Sequence, residues 1–206
     1  MAKQKNGFKK SQNPNHPEKG SKIKVGPIRK LKDIKTIKKM LEDNPRNYCL
    51  FVIGINTALR AGDLLKIKVG DVRHLKPGDT LELKEQKTKK NRLVTLNKTV
   101  VDAIQHLIKN EKLKDNEPLF KGQRGNGALS VPSVHRLVKS WCKDINLKGN
   151  YGSHTLRKTF GYHQRVTFGH DLATLVDVFG HSSQRQTLQY LCIQSDEVRS
   201  VYLNEL

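Results

Sequence analysis

The chain has 206 residues and a formal net charge of +20, from 39 lysines and arginines against 19 acidic residues. So basic a balance predicts a polyanionic partner, because neutralising phosphates releases their counterions, although an anionic membrane surface would also attract it. No apolar run approaches the roughly 18 residues of a membrane-spanning helix, and three scattered cysteines suit neither a disulfide framework nor a zinc site. No apolar stretch follows the charged N-terminus, so we expect a cytoplasmic protein without a secretory signal. No bound metal is expected either.

The first 30 residues differ in composition from the rest of the chain. They contain nine lysines and arginines, one acidic residue (Glu18) and three prolines. Such a segment cannot bury enough apolar surface to offset the entropy of ordering it, so we expect a flexible basic arm over residues 1–30. The arm is interpreted as a contact to a nucleic-acid backbone, and a solvated tail that aids solubility is the alternative.

Helical periodicity begins directly after this arm. Apolar residues spaced three and four apart predict a helix over 31–41, with a break at Pro45. The run YCLFVIGINTAL (48–59) is nearly all apolar and predicts a buried helix that presents Arg60 at its end. A short amphipathic helix is expected over 61–69.

The period of the apolar residues changes between residues 71 and 97. TLELKEQ and NRLVTL alternate apolar and polar positions around a lysine-rich turn, which predicts a β-hairpin. Helical spacing returns in five further segments: 100–113, 131–145, 155–168, 171–179 and 184–191. We therefore predict a mainly α fold of the α+β class, in which a helical bundle carries one small β-hairpin sheet.

Six polar residues with catalytic chemistry lie in the last two-thirds of the chain. They comprise two arginines, two histidines, a lysine and a tyrosine: Arg60, Lys87, His154, Arg157, His181 and Tyr190. A guanidinium is always charged and can engage two oxygens at once, so two arginines suit a phosphodiester whose oxygens gain negative charge during transfer. His154 and Arg157 are three positions apart, so one helical face presents both to the same site.

Two motifs among these residues resemble those of a known family. HTLRKTF (154–160) differs from the pattern H-x-L-R-H-T-F at one aligned position, Lys158. The segment GHSSQRQTLQY (180–190) is similar to L-G-H-x-x-x-x-T-x-x-Y, with phenylalanine in place of the leading leucine and one more residue between the histidine and the threonine. Together with an arginine after an apolar helix and a lysine in a hairpin turn, these motifs resemble the tyrosine recombinases, also called the phage integrase family. The resemblance covers about residues 30–195 and implies that family's catalytic domain.

The resemblance implies how the phosphate is held and attacked. Arg60 and Arg157 would clamp it from two sides, and Tyr190 would be the nucleophile. The covalent product would be a 3′-phosphotyrosine, which preserves the energy of the broken bond. Rejoining would then need neither ATP nor a metal, and no cofactor is expected.

Three residues are interpreted as proton-handling groups. A free phenol has a pKa near ~10, so the tyrosine needs a base or a cationic neighbourhood at neutral pH. His154 is the candidate base, and His181 the candidate donor to the phosphate or orienter of the tyrosine. Lys87, in the hairpin turn, is the candidate acid that protonates the leaving 5′-oxygen.

Other residues are expected to support this set. Asp63 stands where the family usually has glutamate, and we expect it to hold Arg60 by charge pairing. The hairpin and the motif helix contribute cations that are expected to contact the DNA: Lys84, Lys89, Lys90, Arg92 and Lys158.

The resemblance also implies domain limits and partners. Residues 31–195 are expected to form the catalytic domain, and 196–206 an amphipathic segment that docks on a neighbouring protomer or folds back on its own domain. Residues 1–30 are too few for the helical domain that most family members carry upstream. The expected partners are double-stranded DNA and further copies of the chain, as a tetramer on two sites. Whether an accessory DNA-bending protein takes part stays open. The expected setting is a nucleoid-associated cytoplasmic protein of a prokaryote, phage or mobile element.

Two other functions are compatible with the same fold. A DNA-binding regulator that has lost the reaction would have no use for Tyr190 at this spacing. An enzyme like the type IB topoisomerases would share the chemistry but would relax supercoils without a preferred site.

Overall fold

The computed structural model describes residues 25–86, 89–122 and 127–205. Within them lie one two-stranded sheet and a series of helices: α1 Leu31–Met40, α2 Pro45–Asn56, α3 Ala61–Leu64, α4 Val69–Val72, β1 Thr80–Lys84, β2 Asn91–Thr95, α5 Lys98–Glu111, α6 Val131–Asp144, α7 Ser153–Val166, α8 Leu172–Phe179, α9 Gln184–Leu191 and α10 Gln194–Tyr202. The expected mainly helical fold with one hairpin is confirmed. No helix in these ranges is both long and apolar enough to cross a membrane.

Helix α2 forms the centre of the main hydrophobic core. It packs against α5 on one side and against α7 on another. At Gly54 a Cβ atom would collide with the side chain of Leu156, so the missing side chain allows α2 and α7 to approach closely. Phe51 of α2 meets Trp141 of α6 edge to face, with ring centroids 5.9 Å apart. The helix that carries the HTLRKTF motif is therefore held against the most buried part of the molecule.

The limits of α2 differ from the expected 48–59. The helix begins at Pro45, since a proline at the first position needs no N–H partner, and the side chain of Asn44 caps it by accepting the N–H of Asn47 at 3.0 Å. The helix ends at Asn56, and Ala58 adopts a positive φ of 53°. Arg60 therefore lies at the N-cap position of α3 rather than at the end of α2.

The hairpin is the one that the alternating pattern predicts. Thr80 pairs with Thr95 and Lys84 with Asn91 in an antiparallel register. Beyond the strands the stem is extended by a 3.0 Å hydrogen bond from the N–H of Glu85 to the carbonyl of Lys90. Lys87, in the turn, lies outside the described residues, as does the first part of the basic arm, residues 1–24.

The last residues of the expected flexible arm are packed into the domain. Ile28 is 1% exposed, and its N–H donates to Thr159 Oγ1 at 2.9 Å. Its carbonyl lies 3.0 Å from His163 Nε2, and burial lowers the pKa of His163, so the neutral ring donates this bond. Ile28 is therefore not part of a flexible arm, because both of its backbone groups pair with side chains of α7 and its own side chain is buried in the core.

A second, smaller cluster joins α7, α8 and α9. At Gly161 of α7 a Cβ atom would collide with Phe179 and Leu191, so these helices also approach closely. Helix α8 ends at Gly180 in the left-handed conformation (φ 61°), which redirects the chain towards α9. Tyr190 packs against this cluster, which fixes the end of α9 beside the HTLRKTF helix.

Helix α10 extends the chain beyond this cluster. The side chains of Val198, Val201, Tyr202 and Leu203 are exposed. Glu197 forms a 2.8 Å ion pair with Arg165 at the end of α7, which attaches the start of the helix to its own domain. The segment expected at 196–206 thus has an internal attachment and an exposed apolar side.

Candidate active site

Arg157 is the most deeply buried of the catalytic candidates that the structure describes. The residue is 3% exposed, and its guanidinium donates to the carbonyls of Ala58 and Phe179, the second at 2.8 Å. It also lies 4.8 Å over the ring of Phe179. Burial lowers the pKa of Arg157 to about 10, so the side chain remains charged at neutral pH. Arg157 therefore links the segment before Arg60 to the end of α8 and brings a fixed positive charge beneath the site.

Arg60 is held by two carboxylates. Its Nη1 is 2.7 Å from Glu85 Oε1 and 3.9 Å from Asp63 Oδ2. The shorter distance lacks the angles of a hydrogen bond, and within the described residues this buried Nη1 has no hydrogen-bond partner. The contact with Glu85 is therefore an ion pair. The side chain as a whole is 23% exposed although Nη1 itself is buried, so an incoming anion would meet Arg60 on its exposed side.

Asp63 and Glu85 attach the hairpin to the arginine. Asp63 Oδ1 accepts the backbone N–H of Gln86 at 2.7 Å. Glu85 pairs with Arg60 and also with Arg92, at 2.9 Å. The pairing expected of Asp63 is thus present but longer than that of Glu85. Sequence reasoning missed Glu85, although strict alternation from Leu81 places it on the buried face of the hairpin.

Tyr190 lies in the last turn of α9, opposite the first turn of α7. Its hydroxyl is 3.4 Å from His154 Nδ1, with the two rings edge to face. The distance is long for an O–H···N hydrogen bond, and such contacts tighten when substrate binds. Burial raises the pKa of Tyr190, while the charges of Arg157 and Arg60 act in the opposite direction. The phenol is therefore protonated in the free protein and has an imidazole placed to take its proton.

His181 is neutral in this site. Burial, together with the charges of Arg157 and Arg60, lowers the pKa of His181 to about 4. Its Nδ1 is 2.9 Å from the hydroxyl of Thr187, which itself donates to the carbonyl of Ser183. The hydroxyl must then accept from Nδ1–H, which leaves Nε2 without a proton. The ring stacks on Phe179 and meets Tyr190 edge to face, with centroids 5.2 Å apart in both pairs.

Five of the six expected residues thus interact with one another. A cavity of about 330 Å³ opens beside them and is lined by Arg60, Gln86, Val131, Ser153 and His154, among others. Lys87 follows Gln86 directly but is outside the described residues, so its place in the site stays a prediction.

The cations expected to contact DNA fall into two groups. Lys84, Lys89 and Lys90 are exposed on the hairpin. Arg92 instead pairs with Glu85 and donates to the carbonyl of Val178 at 2.6 Å. Lys158 is 6% exposed, with Nζ 3.3 Å from Cys192 Sγ and 4.9 Å from the ring centroid of Tyr190. Lys84, Lys89 and Lys90 are thus the members of this set that lie on the surface, whereas Arg92 and Lys158 point inward.

This helical fold and its clustered arginines, histidines and tyrosine define a catalytic domain of the tyrosine recombinase class. Residues 30–197 match the model of the phage integrase family, and the chain belongs to that family. It is 38% identical over 181 residues to the probable integrase/recombinase YoeC of Bacillus subtilis (strain 168), covering 86% of this chain and 95% of that one. It is 32% identical over 114 residues to the tyrosine recombinase XerC of Pelobacter propionicus, covering 55% of this chain and 37% of that one.

Solved structures share the fold. The XerA recombinase superposes with a TM-score of 0.70 at 20% identity, over 86% of this chain and 65% of that one. The second structure is the XerH site-specific recombinase in a post-cleavage complex with palindromic difH substrate. It superposes with a TM-score of 0.69 at 22% identity, over 90% of this chain and 55% of that one. The chain thus spans nearly all of YoeC but only 37% to 65% of the three Xer-type proteins named above.

Proposed function

We propose that this protein is a site-specific DNA recombinase that cleaves and rejoins strands through a 3′-phosphotyrosine at Tyr190. The observation that carries the proposal is the placement of the Tyr190 hydroxyl, 3.4 Å from His154 Nδ1 and within the electrostatic influence of Arg157 and Arg60. The names of the relatives, integrase/recombinase and tyrosine recombinase, support the same function.

Binding of a phosphodiester comes first in this mechanism. Arg60 offers a partly exposed side chain that Glu85 and Asp63 hold in place, and Arg157 supplies a second charge beneath the site. Both act before the reaction begins, so little reorganisation is needed when charge develops on the phosphoryl oxygens. A bound phosphate would also offset the two charges that lower the pKa of His181, which would allow this ring to protonate and donate to the phosphate.

Proton transfers accompany the attack. The phenol oxygen of Tyr190 bonds to phosphorus as its proton passes to His154, and the bond from phosphorus to the 5′-oxygen breaks. Lys87 gives its proton to that oxygen, so the leaving group departs as a hydroxyl. Rejoining reverses these steps with another 5′-hydroxyl. The phosphotyrosine conserves the energy of the original bond, and the charge is supplied by the chain's own arginines, so the cycle requires neither ATP nor a metal ion.

Assembly on two DNA sites completes the proposal. The apolar residues exposed on α10 suit a contact with a neighbouring protomer, while the ion pair of Glu197 keeps the start of the helix on its own domain. A tetramer would bring the two sites together, with two protomers on each. The larger Xer-type relatives contain residues that this sequence does not match. An accessory DNA-bending protein would supply additional contacts to the DNA in their place. We place this assembly on DNA in the cytoplasm.

Covalent trapping tests this function. The protein, a Tyr190→Phe variant and a Tyr48→Phe control are incubated with nicked fragments of the DNA that flanks its own gene, and the products are resolved on a denaturing gel. We expect a slowly migrating adduct with the parent and the control, in the presence of a chelator, and none with Tyr190→Phe.

The same assay separates the two rival functions. Equal DNA binding without an adduct from any of the three proteins would favour a regulator that has lost the reaction. Adducts on every nicked fragment, together with relaxation of any supercoiled plasmid, would favour a topoisomerase-like enzyme. An adduct confined to one sequence, with strand exchange between two copies of it, is the result that a recombinase requires.

A further inference from the structure

Lys158 is a buried cation in contact with the candidate nucleophile. It follows Arg157 in α7, at the one position where HTLRKTF departs from the family pattern. Its Nζ lies 4.9 Å from the ring centroid of Tyr190 and 3.3 Å from Cys192 Sγ. Within the described ranges no carboxylate forms an ion pair with it. Burying an ammonium is unfavourable unless a partner compensates, and here the partner is the face of the tyrosine ring.

The end of α9 has two separate cationic anchors. Cys192 is the C-cap residue in the left-handed conformation, where the helix dipole favours positive charge. Arg29 donates to the carbonyl of Cys192 at 2.9 Å, and Lys158 meets its sulfur. Because Arg29 holds this turn independently, replacing Lys158 leaves α9 attached. A role of Lys158 towards the ring can therefore be separated from a role in holding the helix.

We propose that Lys158 is a positioning residue for Tyr190, holding its ring for attack and stabilising the phenolate that forms; this rests on the proposed role of Tyr190 as nucleophile. A cation is attracted to the electron-rich face of an aromatic ring, and the attraction grows as the phenol loses its proton and the ring gains negative charge. An interaction that strengthens between ground state and transition state accelerates the reaction.

Other charged and titratable groups also face Tyr190, and their contributions must be kept constant in any test. They come from α7, from the segment before α3 and from the turns that flank α9: His154, Arg157, Arg60, His181 and Cys192. Single substitutions at Lys158 leave all of them in place.

The test compares Lys158→Met, which keeps the length but removes the charge, with Lys158→Arg, which keeps the charge. Lys109→Met, at an exposed position of α5, controls for the loss of one positive charge. The ionisation of Tyr190 is followed by NMR of ¹³Cζ-labelled tyrosine, with the resonance assigned from Tyr190→Phe. We expect the midpoint of the Tyr190 titration to rise by at least roughly half a pH unit in Lys158→Met. The midpoints in Lys158→Arg and Lys109→Met should stay close to that of the parent. Should Lys158→Met not fold, Lys158→Gln removes the same charge.

Single-turnover cleavage of the nicked substrate gives a second readout. At pH 7 the Lys158→Met rate should fall roughly 3- to 10-fold, and the deficit should shrink as the pH rises and the phenol ionises in every variant. Coincident titration curves for the parent and Lys158→Met would overturn the proposal. A shifted midpoint with no adduct from the parent would instead reject Tyr190 as nucleophile and leave the effect of Lys158 on the ring established.

Discussion

Asp63 Oδ1 accepts the backbone N–H of Gln86 at 2.7 Å, which attaches α3 to the hairpin immediately before Lys87. The carboxylate is 2% exposed, so the bond is shielded from water. One short side chain thereby connects the segment that carries the first arginine to the turn that carries the candidate acid.

Replacing Asp63 by alanine should disturb the hairpin more than the binding of DNA. Loss of the acceptor leaves the N–H of Gln86 unpaired at a part-buried position, at a cost of about 1 kcal/mol in the free energy of unfolding, measured by urea titration. Cleavage should fall and should recover on a substrate whose leaving 5′-oxygen is replaced by sulfur, which needs no protonation. Asp63→Asn keeps an acceptor oxygen and is the matched control. Equal deficits on the oxygen and sulfur substrates would show that Asp63 does not act through the acid.

Arg157→Lys should impair both stability and cleavage although the charge is kept. The single nitrogen of a lysine cannot stand at the positions of both Nη1 and Nη2, so at least one of the bonds to the carbonyls of Ala58 and Phe179 is lost or lengthened, which costs roughly 1–3 kcal/mol of unfolding free energy. Cleavage should fall by about 100-fold or more, because an ammonium does not reproduce the planar fork. Arg60→Lys should lose cleavage to a similar degree without the loss of those two bonds. Activity of either variant within several-fold of the parent would contradict the phosphate clamp.

The stability of the protein should depend on pH through His181. The pKa of His181 is about 4 in the folded protein and lies near its ordinary value of about 6.5 in the unfolded chain. As the pH falls, the unfolded chain therefore binds a proton at His181 before the folded protein does. The stabilisation that comes from holding His181 neutral is complete above pH ~6.5 and is lost as the pH falls towards 4. Urea titrations across this range should show a smaller decline for His181→Gln than for the parent. Parallel declines would mean that His181 is not held neutral.

Two truncations should separate the basic arm from the folded segment that follows it. Removing residues 1–24 should leave the melting temperature unchanged and should flatten the dependence of DNA affinity on salt, by about 0.9 in slope for each phosphate that the arm no longer neutralises. Removing residues 1–30 should also lower stability by about 1.5–3 kcal/mol or more, because Ile28 is buried and Arg29 holds Cys192. If removing residues 1–24 left the dependence of DNA affinity on salt unchanged, the arm would not contact phosphates, and the alternative role in solubility would be favoured.

Much of the fold follows from periodicity, whereas the interactions that tune the site do not. Alternation predicts the hairpin, and helical spacing predicts α5 to α9, because each pattern reports which side chains must be buried. Arg60 was expected at the end of α2, but the left-handed residue Ala58 ends that helix earlier. The sequence predicts that Lys158 contacts DNA, whereas in the structure its ammonium contacts Tyr190 and Cys192. These partners are more than 30 positions away along the chain, and nothing in a single sequence indicates the contact. Such long-range partners become visible only when the chain is folded.

Mapping the covalent bond tests the central claim most directly. The adduct formed on the nicked substrate is digested with nuclease and trypsin, and the peptides are analysed by mass spectrometry. Cleavage at Arg185 and Arg199 releases residues 186–199, in which Tyr190 is the one tyrosine. We predict a nucleotide joined through its 3′-phosphate to Tyr190 in this peptide. A nucleotide on another residue, or one joined through a 5′-phosphate, would contradict the account.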